Sequence, residues 1–173
     1  MHYWIWQSSG RGILSFAAYC ILGNLCYDGE KYGRDSIMRN ECYTYFRITG
    51  GFDPDEITDL MGLKPDKCWK IGDRRKNGTV YDFSSWSFGR CDEYDGYVER
   101  QMRRTIAPLW ERIDVLNQIR REHDVTYHLE IVPTVCVGES APCLATPLDV
   151  IDFCHATRTR IDIDLYATDA EEG

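Results

Sequence analysis

Polar and apolar positions alternate through Cys42-Tyr-Thr-Tyr-Phe-Arg-Ile-Thr49. Aromatic and β-branched residues dominate the run, so it predicts a strand. Tyr43, Tyr45, Arg47 and Thr49 share one face, and Thr44, Phe46 and Ile48 take the core face. Gly50-Gly51 turns the chain. Asp53 then supplies an N-cap, Pro54 suits the first helical position and Glu56 completes a capping box. Ile57, Leu60 and Met61 follow at helical spacing, and Gly62 and Pro65 stop the run, which predicts a helix over 54–61. Residues 64–80 read as loop, with Asn77-Gly78 as a turn. Tyr81 to Gly89 reads as a second strand. It carries Phe83, Ser85, Ser87 and Gly89 on one face and Asp82, Ser84, Trp86 and Phe88 on the other.

A long amphipathic pattern opens at Asp95 or Gly96 and runs to about Arg121. Val98, Met102, Ile106, Leu109, Ile113 and Leu116 recur at threes and fours, which is a helical stripe. Proline inside a helix costs about 3 kcal/mol, so Pro108 predicts a break near Ala107. Val125 to Val132 is a third strand, with Val125, Tyr127, Leu129 and Ile131 alternating with Thr126, His128, Glu130 and Val132. Thr146 as N-cap and Pro147 in the first turn open a further helix, with Leu148, Val150, Ile151 and Cys154 on its apolar side. Arg160-Ile-Asp-Ile-Asp-Leu-Tyr166 closes the series as a strand, with Ile161, Ile163 and Leu165 facing in and Asp162, Asp164 and Tyr166 facing out.

The order is β-α-β, a long helix, then β-α-β. It predicts an α+β domain of the ferredoxin-like, split-βαβ kind. The two βαβ halves would form an antiparallel sheet, with the long helix inserted between them. The single domain is expected over 38–168, after an N-terminal extension (1–37) and before a frayed acidic tail (169–173). Residues 13–22 are apolar but too short for a membrane span, which needs about 20 residues. They suit a short buried helix or hairpin.

Composition narrows the function classes. The chain has 173 residues, of which 43% are hydrophobic and 28% charged, a globular balance. Its net charge of -8 disfavours duplex DNA and anionic membrane surfaces, which attract basic proteins. Eight cysteines show neither C-x-x-C nor zinc-finger spacing, so reduced thiols in a cytoplasmic protein are expected, with no structural disulfide, zinc or other cofactor. No P-loop, dinucleotide fingerprint, Gly-x-Ser-x-Gly or His-Glu-x-x-His is present.

The stretch Phe46-Arg-Ile-Thr-Gly-Gly-Phe-Asp-Pro-Asp-Glu-Ile-Thr-Asp-Leu-Met-Gly-Leu-Lys-Pro65 resembles the opening of a bacterial family catalogued as domain of unknown function 4279. Trp69-Lys-Ile-Gly-Asp73, Ser85-Trp86 and Ile161-Asp-Ile-Asp-Leu-Tyr166 follow the same pattern, so the similarity spans residues 42–167. The resemblance implies a small bacterial cytoplasmic domain and no assigned activity.

Three groupings carry candidate chemistry. Asp162 and Asp164 stand two apart on a strand, roughly 7 Å from each other on one face. Such a pair suits a metal or acid–base work, or simply a solvated face with ion pairs to Arg158 or Arg160. Trp69 sits among Lys67, Lys70, Arg74, Arg75 and Lys76, beside a tight turn at Gly72-Asp73. Basic groups around an aromatic suit single-stranded RNA; the bland alternative is a core-capping Trp among solvated charges. His123, His128 and His155 are the titrating candidates. The reading that fits best is a non-catalytic domain that binds another protein, as bacterial immunity proteins and antitoxins do. Its expected contact residues are Trp69, Asp73, Trp86, Asp162, Asp164 and Tyr166. A metal-assisted hydrolase using Asp162 and Asp164, and a single-stranded RNA binder using the Trp69 loop, are the alternatives. Because every well-patterned element lies beyond it, a chain beginning at Met38 should still unfold cooperatively in denaturant. Loss of that transition would place residues 1–37 in the folding unit.

Overall fold

The computed structural model describes residues 40–168. The expected extension, the apolar run at 13–22, the domain start at 38 and the acidic tail lie outside the described residues. Within them the chain forms β1 (Glu41–Gly50), α1 (Pro54–Met61), β2 (Lys67–Trp69), β3 (Ser84–Cys91), α2 (Val98–Ile106), a 3-10 segment (Ala107–Arg112), α3 (Ile113–Glu122), β4 (Val125–Cys136), α4 (Leu148–Thr157), β5 (Arg160–Ile163) and β6 (Tyr166–Thr168). The α+β class stands. The six strands form one sheet in the order β2-β3-β1-β4-β5, with β6 also pairing with β4.

Local chemistry explains most boundaries. Asp53 Oδ1 accepts the N–H of Asp55 at 3.1 Å, and Gly62 closes α1 in the left-handed region at φ +60, where only glycine is unstrained. Glu56 does not reach back to complete the expected box; its carboxylate faces His123 Nε2 at 3.7 Å. Pro108 ends α2 by tightening the backbone into the 3-10 segment. Arg112 pins that segment, donating to Met61 O at 2.9 Å and Pro108 O at 2.6 Å. At the other end of β1, Gly50 has φ +153, and a Cβ there would sit 2.2 Å from Asp124 O. No side chain fits where β1 and β4 close together.

Three expectations change. Thr146 does not cap α4, because Pro147 stays extended (φ -63, ψ 151) and serves as an N-cap with no side-chain bond. The closing strand breaks after Ile163, and Asp164 N donates to Ile131 O at 2.9 Å at the break. Ile161, Ile163 and Leu165 are 37%, 44% and 60% exposed, so they are not core. The cause is their place at the sheet margin: α4 turns Val150 and Phe153 inward, and Phe153 meets Phe46 at the sheet centre, ring to ring at 6.2 Å. The layer of helices therefore leaves the outer strand partly bare. Leu148 and Ile151, expected on the apolar side of α4, are exposed, because its buried side is formed by Val150, Phe153, Cys154 and Thr157.

The pairing also redistributes the expected halves. β1 is antiparallel to β3 and to β4, and β2 is antiparallel to β3. Hence β1 and β2 run the same way with β3 between them, joined through α1. Likewise β3 and β4 run the same way with β1 between them, joined through α2 and α3. The long helical segment is thus the crossover of the second half rather than an insertion between halves. β4, α4 and β5 add a parallel βαβ unit at the edge, so the sheet is mixed and not wholly antiparallel.

Phe46, Ile48, Trp86, Tyr127, Leu129 and Ile131 form the sheet side of the core, against Ile57, Met61, Met102, Ile106, Leu116, Ile119, Val150 and Phe153 from the helices. A bulge lies in β1 between Thr44 and Phe46, where pairing with β3 shifts. Gln101 of α2 answers the strand-end carbonyls beside it, donating to Cys42 O at 2.6 Å and Cys91 O at 3.1 Å. Trp86, expected at a binding surface, is 0% exposed, and its Nε1 donates to Thr58 Oγ1 at 3.1 Å. Its position on the core face of β3 decides that placement. Trp86→Ala should lower unfolding free energy by about 3–5 kcal/mol, the cost of emptying a buried aromatic site, as read from denaturant midpoints at unchanged m-value.

Candidate functional site on the second sheet face

Strand alternation sends every second side chain to the face opposite the core. Among the described residues the helices pack on the core face, so the second face is built from strand side chains alone. The register arranges them in rows. Lys67, Ser87, Arg47, His128 and Arg160 lie across neighbouring strands in one row, and Trp69, Ser85, Thr49 and Thr126 form the next. Tyr45, Glu130 and Asp162 line up on the other side of the first row.

Arg47 stands at the centre. Its Nη1 donates to Glu130 Oε1 at 3.3 Å and its Nε to Ser85 Oγ at 3.3 Å. Its guanidinium lies over the rings of Trp69 and Phe83, 5.8 and 5.7 Å from their centroids. Glu130 is buried. Burial pushes its carboxyl above the ordinary range; Arg47 pulls it back, and Asp162 and Asp164 add to the upward push. Burial also holds the His128 imidazole below its usual value, helped by the Arg47 charge and opposed by Asp162. His128 Nδ1 is 3.7 Å from Asp162 Oδ2, and Nε2 is 3.4 Å from Thr49 Oγ1.

Aromatic groups flank this centre. Trp69 stacks on Tyr81 with centroids 4.6 Å apart, fixed by its Nε1 donating to Phe83 O at 3.0 Å. Lys67 Nζ caps Trp69 at 5.4 Å. Tyr43 and Tyr45 lie 6.1 Å apart, and Arg90 covers Tyr43 at 3.7 Å. Between the two aromatic groups is a depression of about 430 Å³ lined by Tyr43, Tyr45, Arg47, Lys67, Trp69 and Arg90 among others. A wider cleft of about 940 Å³ continues past Tyr43 and Arg90 toward Asp92 and Tyr94.

The six residues expected at a site divide. Trp69 lies on this face, as does Asp162. Asp164 sits just past β5, where it accepts the Tyr166 hydroxyl at 2.7 Å, and both lie close enough to the face to influence it electrostatically, Asp164 on Glu130 and Tyr43 on Tyr166. Asp73 closes a turn: its carboxylate accepts Lys70 N at 2.8 Å, and its main chain pairs with Lys70 and Tyr81. Trp86 is in the core. The residues overlooked as a group are Tyr43, Tyr45, Arg47, His128 and Glu130. Each appeared on a polar strand face, but only the β1–β4 register brings them together.

The carboxylates expected to pair as Asp162 and Asp164 do not form the tightest cluster. Donor atoms of His128, Glu130 and Asp162 lie within 4.8 Å of one another. That set has the donor types of a divalent-cation site. Arg47 already places a cation on Glu130, so one of the two carboxylate charges of the cluster is offset from within the protein. Among the described residues, no helix is long and apolar enough to cross a membrane.

The chain resembles known proteins at the family level alone. A family described as a domain of unknown function (DUF4279) has a model that matches residues 40–168. No curated protein and no solved structure matches.

The central pair makes two tests. Arg47→Met leaves Glu130 buried without a counter-charge and should cost about 2–3 kcal/mol, less than the 3–5 kcal/mol of a fully buried pair; adding Glu130→Gln should recover most of it in a double-mutant cycle. His128 binds its proton less readily folded than unfolded, so its contribution to stability is present above its ordinary value of 6.5 and is lost as pH falls below it. Replacing His128 with Asn should flatten the fall in unfolding free energy below pH 6.5.

Proposed function

We propose that this chain, a member of the DUF4279 family, is a non-catalytic domain that binds another protein through the second face of its sheet. We read the β2-β3-β1-β4 part of the sheet, with its crossovers through α1 and through α2–α3, as a ferredoxin-like core carrying the extra β4-α4-β5 unit. The single supporting observation is that Tyr43, Tyr45, Arg47 and Trp69 converge on one depression inside a charged margin. Tyr, Trp and Arg are the side chains that dominate protein interfaces, and a polar rim around them is the expected anatomy.

Mixed charge favours a protein over RNA. Asp66 lines the depression among Arg47, Lys67 and Arg90, and Glu130 and Asp92 pair with Arg47 and Arg90, so carboxylates that repel phosphates stand among its cations. Of the loop cations, Lys70 is paired with Asp53 and Arg75 with Asp82. One face of Trp69 is already stacked on Tyr81. For the hydrolase alternative, Asp164 accepts the Tyr166 hydroxyl while Asp162 faces His128, so the two expected carboxylates are engaged with different partners. We infer that the partner is a protein regulated or neutralised by this acidic domain, in the manner of immunity proteins and antitoxins, an analogy of scale and charge.

A photo-crosslinking residue placed at Tyr45 in the full chain, with the exposed helix-layer position Glu111 as control, tests the face in cell extract. The expected outcome is one protein adduct from position 45 that is insensitive to nuclease. Trp69→Ala should weaken it at least about thirty-fold, the effect of a hot spot near 2 kcal/mol, while the far-UV spectrum is unchanged. An adduct that nuclease destroys would move the reading to RNA. Equal labelling from both positions would remove the face from consideration.

A further inference from the structure

β5 forms the outer margin of the sheet. All four of its residues, Arg160 to Ile163, are exposed. Among the described residues it pairs with β4 along one edge only. Exposed edges with unpaired N–H and C=O groups attract other strands unless they are blunted. Asp164 N donates to Ile131 of β4, and backbone polarity alternates along a strand. The main-chain groups of Asp162 and Arg160 therefore face β4, and those of Ile161 and Ile163 face outward.

That alternation limits how a second copy can add to the edge. In an antiparallel pair of identical strands, outward-facing residues must meet outward-facing residues. Four two-fold registers satisfy this within the strand, and the one centred on Ile163 sets each Asp162 level with the partner's Asp164, like charge against like. Centring on Arg160 opposes two arginines, and centring on Asp162 opposes two aspartates. Centring on Ile161 opposes Arg160 with the partner's Asp162, twice, and makes Ile161 a hydrogen-bonded pair with its own copy. The strand Arg160-Ile-Asp-Ile163 is thus charge-complementary to itself when run antiparallel in this register. Directly opposed unlike charges stabilise a strand pair and like charges oppose it.

Apolar area points to the same contact. Ile161 and Ile163 are 37% and 44% exposed on the core side of the edge. Pairing at Ile161 brings the two copies of Ile161 together.

We propose that β5 is a homodimerisation edge, through which two copies of this chain join their sheets by antiparallel β5–β5 pairing centred on Ile161. The contact does not rest on the partner-binding reading, although it shares Asp162 with that face, and its test reads oligomeric state alone. A ladder this short buries little area, so association is weak and depends on concentration.

Sedimentation equilibrium of the full chain tests it. The expected result is a weight-average mass that rises from 20.1 kDa toward twice that value with concentration, and less steeply in high salt. Arg160→Asp and Asp162→Arg, each alone, oppose like charges in the favoured register and should raise the dimer dissociation constant at least tenfold. The double variant Arg160→Asp/Asp162→Arg recreates the complementarity in reverse and should restore it. Thermal unfolding of each variant as monomer checks that the exchange leaves the fold intact, and the two single variants act independently should one fail to fold. A mass that stays monomeric over the whole range overturns the proposal, as does a dimer indifferent to the single exchanges or not rescued by the double one.

Discussion

β1 hydrogen-bonds along both edges, to β3 and to β4, and this double pairing governs the rest of the domain. A strand paired on both sides cannot slip by one residue without turning Phe46 and Ile48 out of the core and Arg47 into it. The core therefore selects a single register, and that register carries Tyr43, Tyr45 and Arg47 to the opposite side. Helix packing and the composition of the second face are two results of one alternation.

The Arg47–Glu130 contact follows from that register and shows what it costs. Glu130 is 5% exposed on the sheet face opposite the core. Removing a carboxylate from water is unfavourable unless it is paired, and the upward push on its carboxyl records that cost. Arg47 offsets it while also lying over Trp69 and Phe83, so one guanidinium couples the aromatic edge of the face to its acidic half. A contact of this kind is weak evidence for stability, but it holds the side chains around the depression in one arrangement. That pre-organisation lowers the ordering cost of binding.

The two margins of the sheet are treated differently. On the β2 side, a three-residue strand ends in a loop of turns, closed by Asp73 and the Asn77-Gly78 pair, and its cations are partly matched by Asp53 and Asp82. Short strands and charged loops blunt an edge. On the β5 side, the charges run from basic to acidic along the strand. Such an order opposes pairing with unlike sequences of the wrong polarity and permits pairing with itself in one register.

Much of this was legible in the chain before folding. The alternation of 42–49 and 125–132, the Asp53-Pro54 start and Gly62 stop of α1, and the Pro108 break are local features, and local sterics and hydrogen bonding decide them. The strand β2 was not legible, because Lys67-Cys68-Trp69 has no alternation long enough to stand out and becomes a strand only by pairing with β3. Thr146 looked like a cap by the same local rules, yet the extended Pro147 moved the helix start beyond its reach. Residues Ile161, Ile163 and Leu165 had an inward pattern, but whether an alternating strand is covered depends on how far the helices extend, which periodicity does not encode. Trp69 and Trp86 are equivalent as residue types; one lies at a surface and the other in the core because the β2–β3 register sets Trp69 level with Ser85 and Trp86 level with Cys68, on opposite faces of one sheet. What sequence determined by itself is the set of elements and the polarity of each face. Which faces meet, and so whether Arg47 finds Glu130, was decided only by tertiary pairing, because strand order and register are set by contacts between residues as far apart as 47 and 130.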